Sequence, residues 1–263
     1  MTTIARAIRA ALLTAEPRAK VMATRRVARD WRLGRLDFDF DVAMPERPAR
    51  PERPELLAPA TMPKRGRGQS ERGRIALLHA LAHIEFVAID LALDMAGRFG
   101  AAMGRGFVDD FLSVAADEAV HFALLDRRLR AAGCGYGELP AHDGLWEAAA
   151  KTAHCVRARL AIVPMVLEAR GLDVTPMTIA RFESAGDPVS ARILARILDD
   201  EIRHVAFGTR HFVAACEARG DSPPDVWKSL VEQHFRGGLK PPFNDSARRA
   251  AGLSMSFMAR VAS

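Results

Sequence analysis

Four glutamates stand on otherwise apolar helical stripes, and two of them begin an E-x-x-H motif. The glutamates are Glu85, Glu118, Glu168 and Glu201, and the two motif histidines are His121 and His204. Ionised carboxylates in a low-dielectric core are costly, so four that converge need cations or protons, and metal ions supply that charge. The i, i+3 spacing of each motif puts an oxygen and a nitrogen ligand on the same helix face, where both can bind one ion.

The spacing of these residues repeats along the chain. Glu85 and Glu118 are 33 residues apart, Glu168 and Glu201 are also 33 residues apart, and the two pairs are offset by 83 residues. At about 1.5 Å per residue, this spacing fits a helix, a short turn and a returning helix that brings each lone glutamate level with its motif. The repeat predicts a site of pseudo-twofold symmetry. Buried ion pairs are the alternative, but these stripes carry no basic partners.

Long helical patterns must position these residues. They run over 71–99, 106–132, 143–170 and 187–219, which predicts an all-α protein built on a four-helix bundle. A shorter helix is expected near 176–185, with Thr175 as its N-cap and Pro176 in its first turn. Pro164 should kink the third helix, because it removes the hydrogen bond to the Leu160 carbonyl.

The ends of the chain differ from its middle in composition. Residues 1–74 hold 17 Lys and Arg against 9 Asp and Glu, so the positive charge is concentrated there. We expect residues 1–70 to form a basic helical arm and a proline-rich linker over Met44–Gly68, residues 71–219 the bundle, and residues 220–263 a helical C-terminal extension. The arm suits nucleic acid, anionic lipid or an acidic partner, with a solvated basic helix as the alternative.

Cysteine use and hydropathy bear on the location of the protein. The three cysteines form neither a C-x-x-C pair nor a disulfide framework, which fits a reducing compartment. The most apolar stretch, 75–97, is interrupted by histidine and carboxylate side chains, so no membrane span is expected. The N-terminus has no continuous apolar segment followed by a cleavage site. We therefore expect a cytoplasmic protein.

The two D-E-x-x-H motifs, DEAVH (117–121) and DEIRH (200–204), resemble those of the ferritin-like di-iron carboxylate superfamily, in particular of its members with paired D-E-x-x-H motifs, and this likeness covers about 71–219. The sequence looks most like a bacterial ferritin-like family known as a domain of unknown function, and that likeness extends over nearly the whole chain. The segments that carry it are LLHALAHIE (77–85), AADEAVHF (115–122), YGELPAHDGLWE (136–147), VPMVLEARGLDVTP (163–176), DDEIRHVAFG (199–208) and KPPFNDSARRAAG (240–252).

The resemblance implies a cofactor of two Fe ions, alternatively Mn, and a role for each ligand. Glu118 and Glu201 would bridge the two ions, Glu85 and Glu168 would be terminal ligands, and His121 and His204 would each bind one ion. Asp117 and Asp200 would accept the free N–H group of a ligand histidine. His83, on a different face from Glu85, is expected to form an outer hydrogen bond. The nearby Gly171 and Thr175-Pro176 indicate that the third helix ends soon after Glu168, which departs from the pattern.

The function predicted from this resemblance is a non-haem di-iron oxidoreductase, an oxidase or hydroxylase that uses O2 or peroxide. A manganese catalase or peroxidase stays open, as does a metal-containing scaffold or RNA-associated hydroxylase that uses the basic arm. The substrate, a small molecule or RNA, the electron donor and a homodimeric state are all left open. Tyr136, expected to lie away from the ligand stripes, argues against a ribonucleotide reductase small subunit. Lys240, Arg248 and Arg249 are expected on a surface tail, with contact to an anionic substrate as the alternative.

Overall fold

The computed structural model describes residues 2–63, 70–235 and 238–258, and most of these residues are helical. The all-α prediction is confirmed. The predicted linker extends into residues 64–69, which lie outside the described residues. The helices are α1 (Ile4–Leu12), α2 (Pro17–Arg32), α3 (Glu71–Met103), α4 (Arg105–Ala131), α5 (Gly144–Lys151), α6 (Val156–Ile162), α7 (Ala169–Ser184), α8 (Pro188–Glu217), α9 (Pro223–His234), α10 (Asp245–Ala250) and α11 (Met255–Met258).

Short elements complete the chain. Strand β1 (Thr2–Thr3) pairs in parallel with β2 (Leu36–Asp37), a 3₁₀ turn spans Pro59–Thr61, and a π-helical turn spans Val163–Glu168. Residues 38–55, which follow β2, are irregular.

The chain divides into two compact units, Met1–Trp146 and Glu147–Ser263, and α5 contains the boundary between them. The division into an arm, a bundle over 71–219 and an extension stays a prediction.

An α-hairpin of α3 and α4 forms the centre of the first unit. The Ser70 hydroxyl caps α3 by accepting the Gly73 N–H group at 3.1 Å. The hairpin turns at Gly104 alone, whose φ of +87° suits glycine. By length and composition α3 could cross a membrane, but most of its apolar window is buried inside the protein. The core helix of a soluble protein has the same character, and this burial favours that assignment.

The N-terminal helices pack on this hairpin and are anchored by a buried ion cluster. Lys20 on α2 and Asp90 on α3 are both 0% exposed, and the Lys20 Nζ donates to Asp90 Oδ1 at 2.5 Å. The same amine also donates to the carbonyls of Leu12 and Ala49, at 3.3 and 3.0 Å. Arg50 holds the second carboxylate oxygen of Asp90 at 2.5 Å. One buried carboxylate therefore ties both α2 and the proline-rich linker to α3.

In the second unit, the third predicted helix is divided differently from the expectation. The helical pattern over 143–170 breaks between α5 and α6, passes through the π-helical turn that includes Pro164, and continues as α7. The predicted helix start at Thr175 is wrong, because Pro176 lies inside α7. Proline leaves the carbonyl of Leu172 without its helical donor. The Asn244 side-chain amide donates to that carbonyl at 3.2 Å, so the helix continues through the proline.

The segment around α10 is held on α7 by a buried ion pair. The Arg248 guanidinium donates through Nε and Nη2 to the two oxygens of Asp173, at 2.7 and 2.6 Å. Arg248 is buried, so the expectation that it lies on a surface tail is wrong, whereas Lys240 and Arg249 are exposed. Long-range hydrogen bonds at Leu172 and Asp173 therefore fix this segment to α7.

Candidate metal centre

Three of the predicted ligands come together between α3 and α4. Glu85, Glu118 and His121 are buried, and each offers a ligand atom within 4.8 Å of those of the other two. The His121 Nδ1 lies 3.3 Å from an oxygen of Glu118 and 3.3 Å from an oxygen of Glu85. The single-residue turn between α3 and α4 brings the lone glutamate level with the E-x-x-H motif, as the 33-residue spacing predicts.

The groups of this cluster hold their protons more tightly than they would in solvent. Burial, and then the neighbouring Glu118 charge, raise the pKa of Glu85 well above its ordinary value. Burial alone would lower the pKa of His121, but hydrogen bonds to Glu118 and Glu85 outweigh it and raise that pKa to about 11. In this arrangement protons balance the two carboxylates. A metal cation can replace those protons.

The donor set fits a transition metal. Two carboxylates and one imidazole are ligands that iron, manganese and zinc all accept, and all three groups are withdrawn from solvent. The buried Glu/His cluster can therefore bind a metal ion.

The second unit carries a similar pair. Glu201 and His204 are buried on α8, and the Glu201 Oε1 lies 3.7 Å from the His204 Nδ1. The i, i+3 spacing thus places both side chains on one face, as expected from DEIRH. We refer below to Glu85, Glu118 and His121 as the first half-site, and to Glu201 and His204 as the second half-site.

Glu168 is placed differently from the other ligands. It is the last residue of the π-helical turn and is half-buried. The turn begins beside Pro164, which packs against Gly208 on α8 so closely that a Cβ atom at Gly208 would lie 2.3 Å from the proline Cβ. Glu168 is thus set by an irregular turn, whereas Glu85 lies in regular helix.

Two of the predicted outer groups, His83 and Asp200, form hydrogen bonds outside the ligand set. His83 is within hydrogen-bond distance of the Tyr136 hydroxyl, 2.9 Å from Nδ1, and of the His142 carbonyl, 3.1 Å from Nε2. Asp200 accepts from Arg203 on its own helix at 3.1 Å. Asp117 is half-buried on α4. The proposed contacts of Asp117 and Asp200 with ligand histidines stay predictions.

Tyr136 lies close to the ligand-bearing helices, so the expectation that it is remote from the ligand stripes is wrong. Its ring packs on Phe86 and Phe122, with centroids 5.4 and 5.1 Å away, and these residues directly follow Glu85 and His121. Because the His142 carbonyl can only accept, His83 Nε2 must carry the proton, and Nδ1 accepts the Tyr136 hydroxyl.

The spacing of two histidines on α3 is the one feature of the sequence that points to their contact with the loop of Tyr136 and Gly137. His79 and His83 are one turn apart on α3, and both face the loop: His79 Nε2 accepts the N–H group of Gly137 at 2.9 Å. Burial, and then the charge of Arg50, lower the pKa of His83 to about 4. His83 is therefore neutral, and its hydrogen bonds to Tyr136 and to the His142 carbonyl hold the loop beside the first half-site.

Comparisons with known proteins place the chain among proteins without an assigned activity. A family model described as "Protein of unknown function (DUF455)" matches residues 13–259. An uncharacterized protein of Haemophilus influenzae is 42% identical over 224 residues, which cover 83% of this chain and 77% of that protein. No solved structure matches the chain.

Proposed function

Since the chain belongs to the family described as "Protein of unknown function (DUF455)", whose description assigns no activity, we propose a function from the site itself. The protein is a non-haem di-iron oxidoreductase, an oxidase or hydroxylase that uses O2 or peroxide on an organic substrate. One observation carries this proposal: two buried carboxylates share one buried imidazole in the first half-site. Such a cluster in an apolar interior favours a cation.

The proposed fold is a ferritin-like four-helix bundle over 71–219, in which both half-sites serve one dinuclear centre. The support is the internal repeat of the sequence, in which Glu85, Glu118 and His121 recur 83 residues later as Glu168, Glu201 and His204. Glu118 and Glu201 would bridge the ions, the other glutamates would be terminal ligands, and each histidine would bind one ion.

The chain's own residues would bind the ions and keep water from them. Bound iron would supply the electrons that reduce O2 or peroxide, which no side chain of this cluster provides. Phe86 and Phe122, which follow Glu85 and His121 in the sequence, are buried with their rings 5.1 Å apart, so they would contribute an apolar wall that excludes water. A small organic substrate, a separate electron donor and a cytoplasmic location complete the proposal.

Metal analysis tests the proposal. Protein purified without added metal, and protein reconstituted anaerobically with Fe(II) or Mn(II), should contain about two ions per chain, because six ligands in two sets serve two ions. The Fe(II) form should then consume O2. Peroxide disproportionation by the Mn form alone would instead favour a manganese catalase. Zinc alone, at about one ion per chain, would contradict the di-iron assignment.

Ligand variants test the roles of individual residues. We expect Glu118→Gln to lose both ions, since a bridging carboxylate serves two, and Glu85→Gln to lose mainly one. Glu183→Gln is the matched control, because Glu183 is exposed on α7 and its loss should leave the metal content unchanged. Two tightly bound ions in folded Glu118→Gln would show that this carboxylate does not bridge.

A further inference from the structure

We propose that the outward face of α2 binds a single-stranded nucleic acid through its phosphates. Four arginines on this helix, Arg18, Arg25, Arg26 and Arg32, are exposed, and we call them the α2 arginine face. Positions 18, 25 and 32 recur every seven residues and so lie along one side of the helix. At about 1.5 Å per residue they span about 21 Å, the length of several nucleotides. This proposal is independent of the metal site.

The charges of the α2 arginine face are not neutralised by the part of the chain that the structure describes. None of its four guanidinium groups forms an ion pair or hydrogen bond within residues 2–63, 70–235 and 238–258. The one acidic residue of α2, Asp30, pairs instead with Arg29 and Arg35, at 2.9 and 3.4 Å. On the buried side of α2, by contrast, the charge of Lys20 is neutralised by an ion pair with Asp90. The four outward charges are therefore available to a polyanion.

An aromatic cluster at the end of α2 favours a nucleic acid over a lipid surface. The Arg105 guanidinium stacks on Trp31 and Phe38, 4.6 and 5.2 Å from the two ring centroids. Phe38 is 37% exposed, and its ring lies 6.1 Å from that of Trp31. An exposed ring beside arginines is a stacking platform for an unpaired base, whereas a lipid headgroup offers no base to stack. The apolar side of α2 is buried, and Met22 is the one large apolar side chain exposed on this helix, so α2 offers a single apolar side chain and not an apolar face to a bilayer.

Fluorescence anisotropy with a labelled RNA strand of about 20 nucleotides tests this surface on the full chain. Four phosphate contacts to a single strand give a slope of log affinity against log salt of about −2.8, which is about 50-fold weaker binding at 200 mM than at 50 mM salt. We expect Arg18→Gln/Arg25→Gln/Arg26→Gln/Arg32→Gln to bind at least tenfold more weakly at about 50 mM salt, with a slope near zero.

A matched variant separates this face from overall charge. Arg127→Gln/Arg181→Gln/Arg192→Gln/Arg249→Gln removes four exposed arginines elsewhere, so both variants have a net charge of +6 − 4 = +2. The control should keep nearly all of its RNA affinity. Phe38→Leu should weaken binding of the single strand by at least about threefold without changing the salt slope, because it removes stacking and no charge.

Three results would overturn the proposal. One is equal loss of binding in the two charge variants. The second is an absence of RNA binding by the unmodified chain at about 50 mM salt. The third is binding of vesicles rich in phosphatidylserine, lost in the α2 variant, together with no binding of RNA, which would assign the face to a membrane surface.

Discussion

At the scale of single residues, Tyr136 offers the cleanest prediction, because it is the only tyrosine in the sequence. Burial raises the pKa of its hydroxyl above the ordinary value of about 10. The folded protein should therefore keep Tyr136 neutral beyond pH 10, and denaturant should return the titration to its usual range. A spectrophotometric titration of the phenolate, with Tyr136→Phe as the blank, measures this directly.

The same shift has a consequence for stability. A raised folded pKa means that the unfolded chain loses the proton first, so the contribution of Tyr136 to the free energy of unfolding is complete below about pH 10 and is lost as the pH rises further. Coincident titration curves for native and denatured protein would contradict the buried position of this side chain.

Individual ligands show what the sequence can and cannot predict. The first half-site was predictable, because Glu85, Glu118 and His121 follow helical periodicity and a one-residue turn joins their helices. The partners of His83 were not, because Tyr136 lies in a loop whose path no period encodes. The burial of Arg248 was hidden for the same reason, since its partner Asp173 is 75 residues away in the sequence.

At the scale of elements, Asp90 is the point where α2 and the linker meet α3. Burial raises the pKa of Asp90 and lowers that of Lys20, so each charge depends on the other for its stability. We expect Asp90→Asn to lower the free energy of unfolding by about 3 kcal/mol, since it leaves the ammonium of Lys20 buried without its counter-charge. Urea unfolding measures the loss.

A surface ion pair provides the control for this variant. Asp30→Asn removes the partner of Arg29 and Arg35 outside the core, so its effect should be much smaller. Equal losses in the two variants would mean that the Asp90 cluster does not anchor the N-terminal helices.

The close contact between Pro164 and Gly208 predicts that a larger residue at position 208 would disturb the π-helical turn. An alanine methyl group at Gly208 would overlap the proline ring, so Gly208→Ala should destabilise the protein by about 1–3 kcal/mol and disturb the π-helical turn that ends at Glu168. Thermal unfolding and metal content would both report the change.

Gly171 supplies the matched control. It lies inside α7 with no atom within 4 Å of an added Cβ, so Gly171→Ala should be neutral or stabilising by up to about 1 kcal/mol. If the two alanine variants behave alike, close packing at Gly208 does not hold the turn.

Pro176 shows why local sequence signals do not reliably predict where a helix begins or ends. Thr175-Pro176 has the form of a helix start, and local rules place a boundary there. The helix continues because Asn244, 72 residues from Leu172, supplies the missing donor. A distant side chain thus overrides a local signal, which composition and periodicity do not reveal.

At the scale of the whole molecule, metal binding should raise the stability of the native state. A ligand that binds only the folded chain adds RT ln(1 + [L]/Kd), about 2.7 kcal/mol at a hundredfold excess over Kd. The protein should melt at a higher temperature with Fe(II) under anaerobic conditions than after chelation. Glu118→Gln should lose most of this difference, whereas identical melts of the unmodified protein with and without Fe(II) would remove the case for a cation site.

The buried position of Lys20 also makes this residue a chemical reporter. Lys151 and Lys240 are exposed, so an amine-reactive ester should acylate them in the folded protein within its ordinary reaction time. The Lys20 amine, 0% exposed and bound to Asp90, becomes reactive only when α2 separates from α3. Mass spectrometry of peptides that contain Lys20, sampled over time, would therefore measure how often the N-terminal helices detach from the native protein.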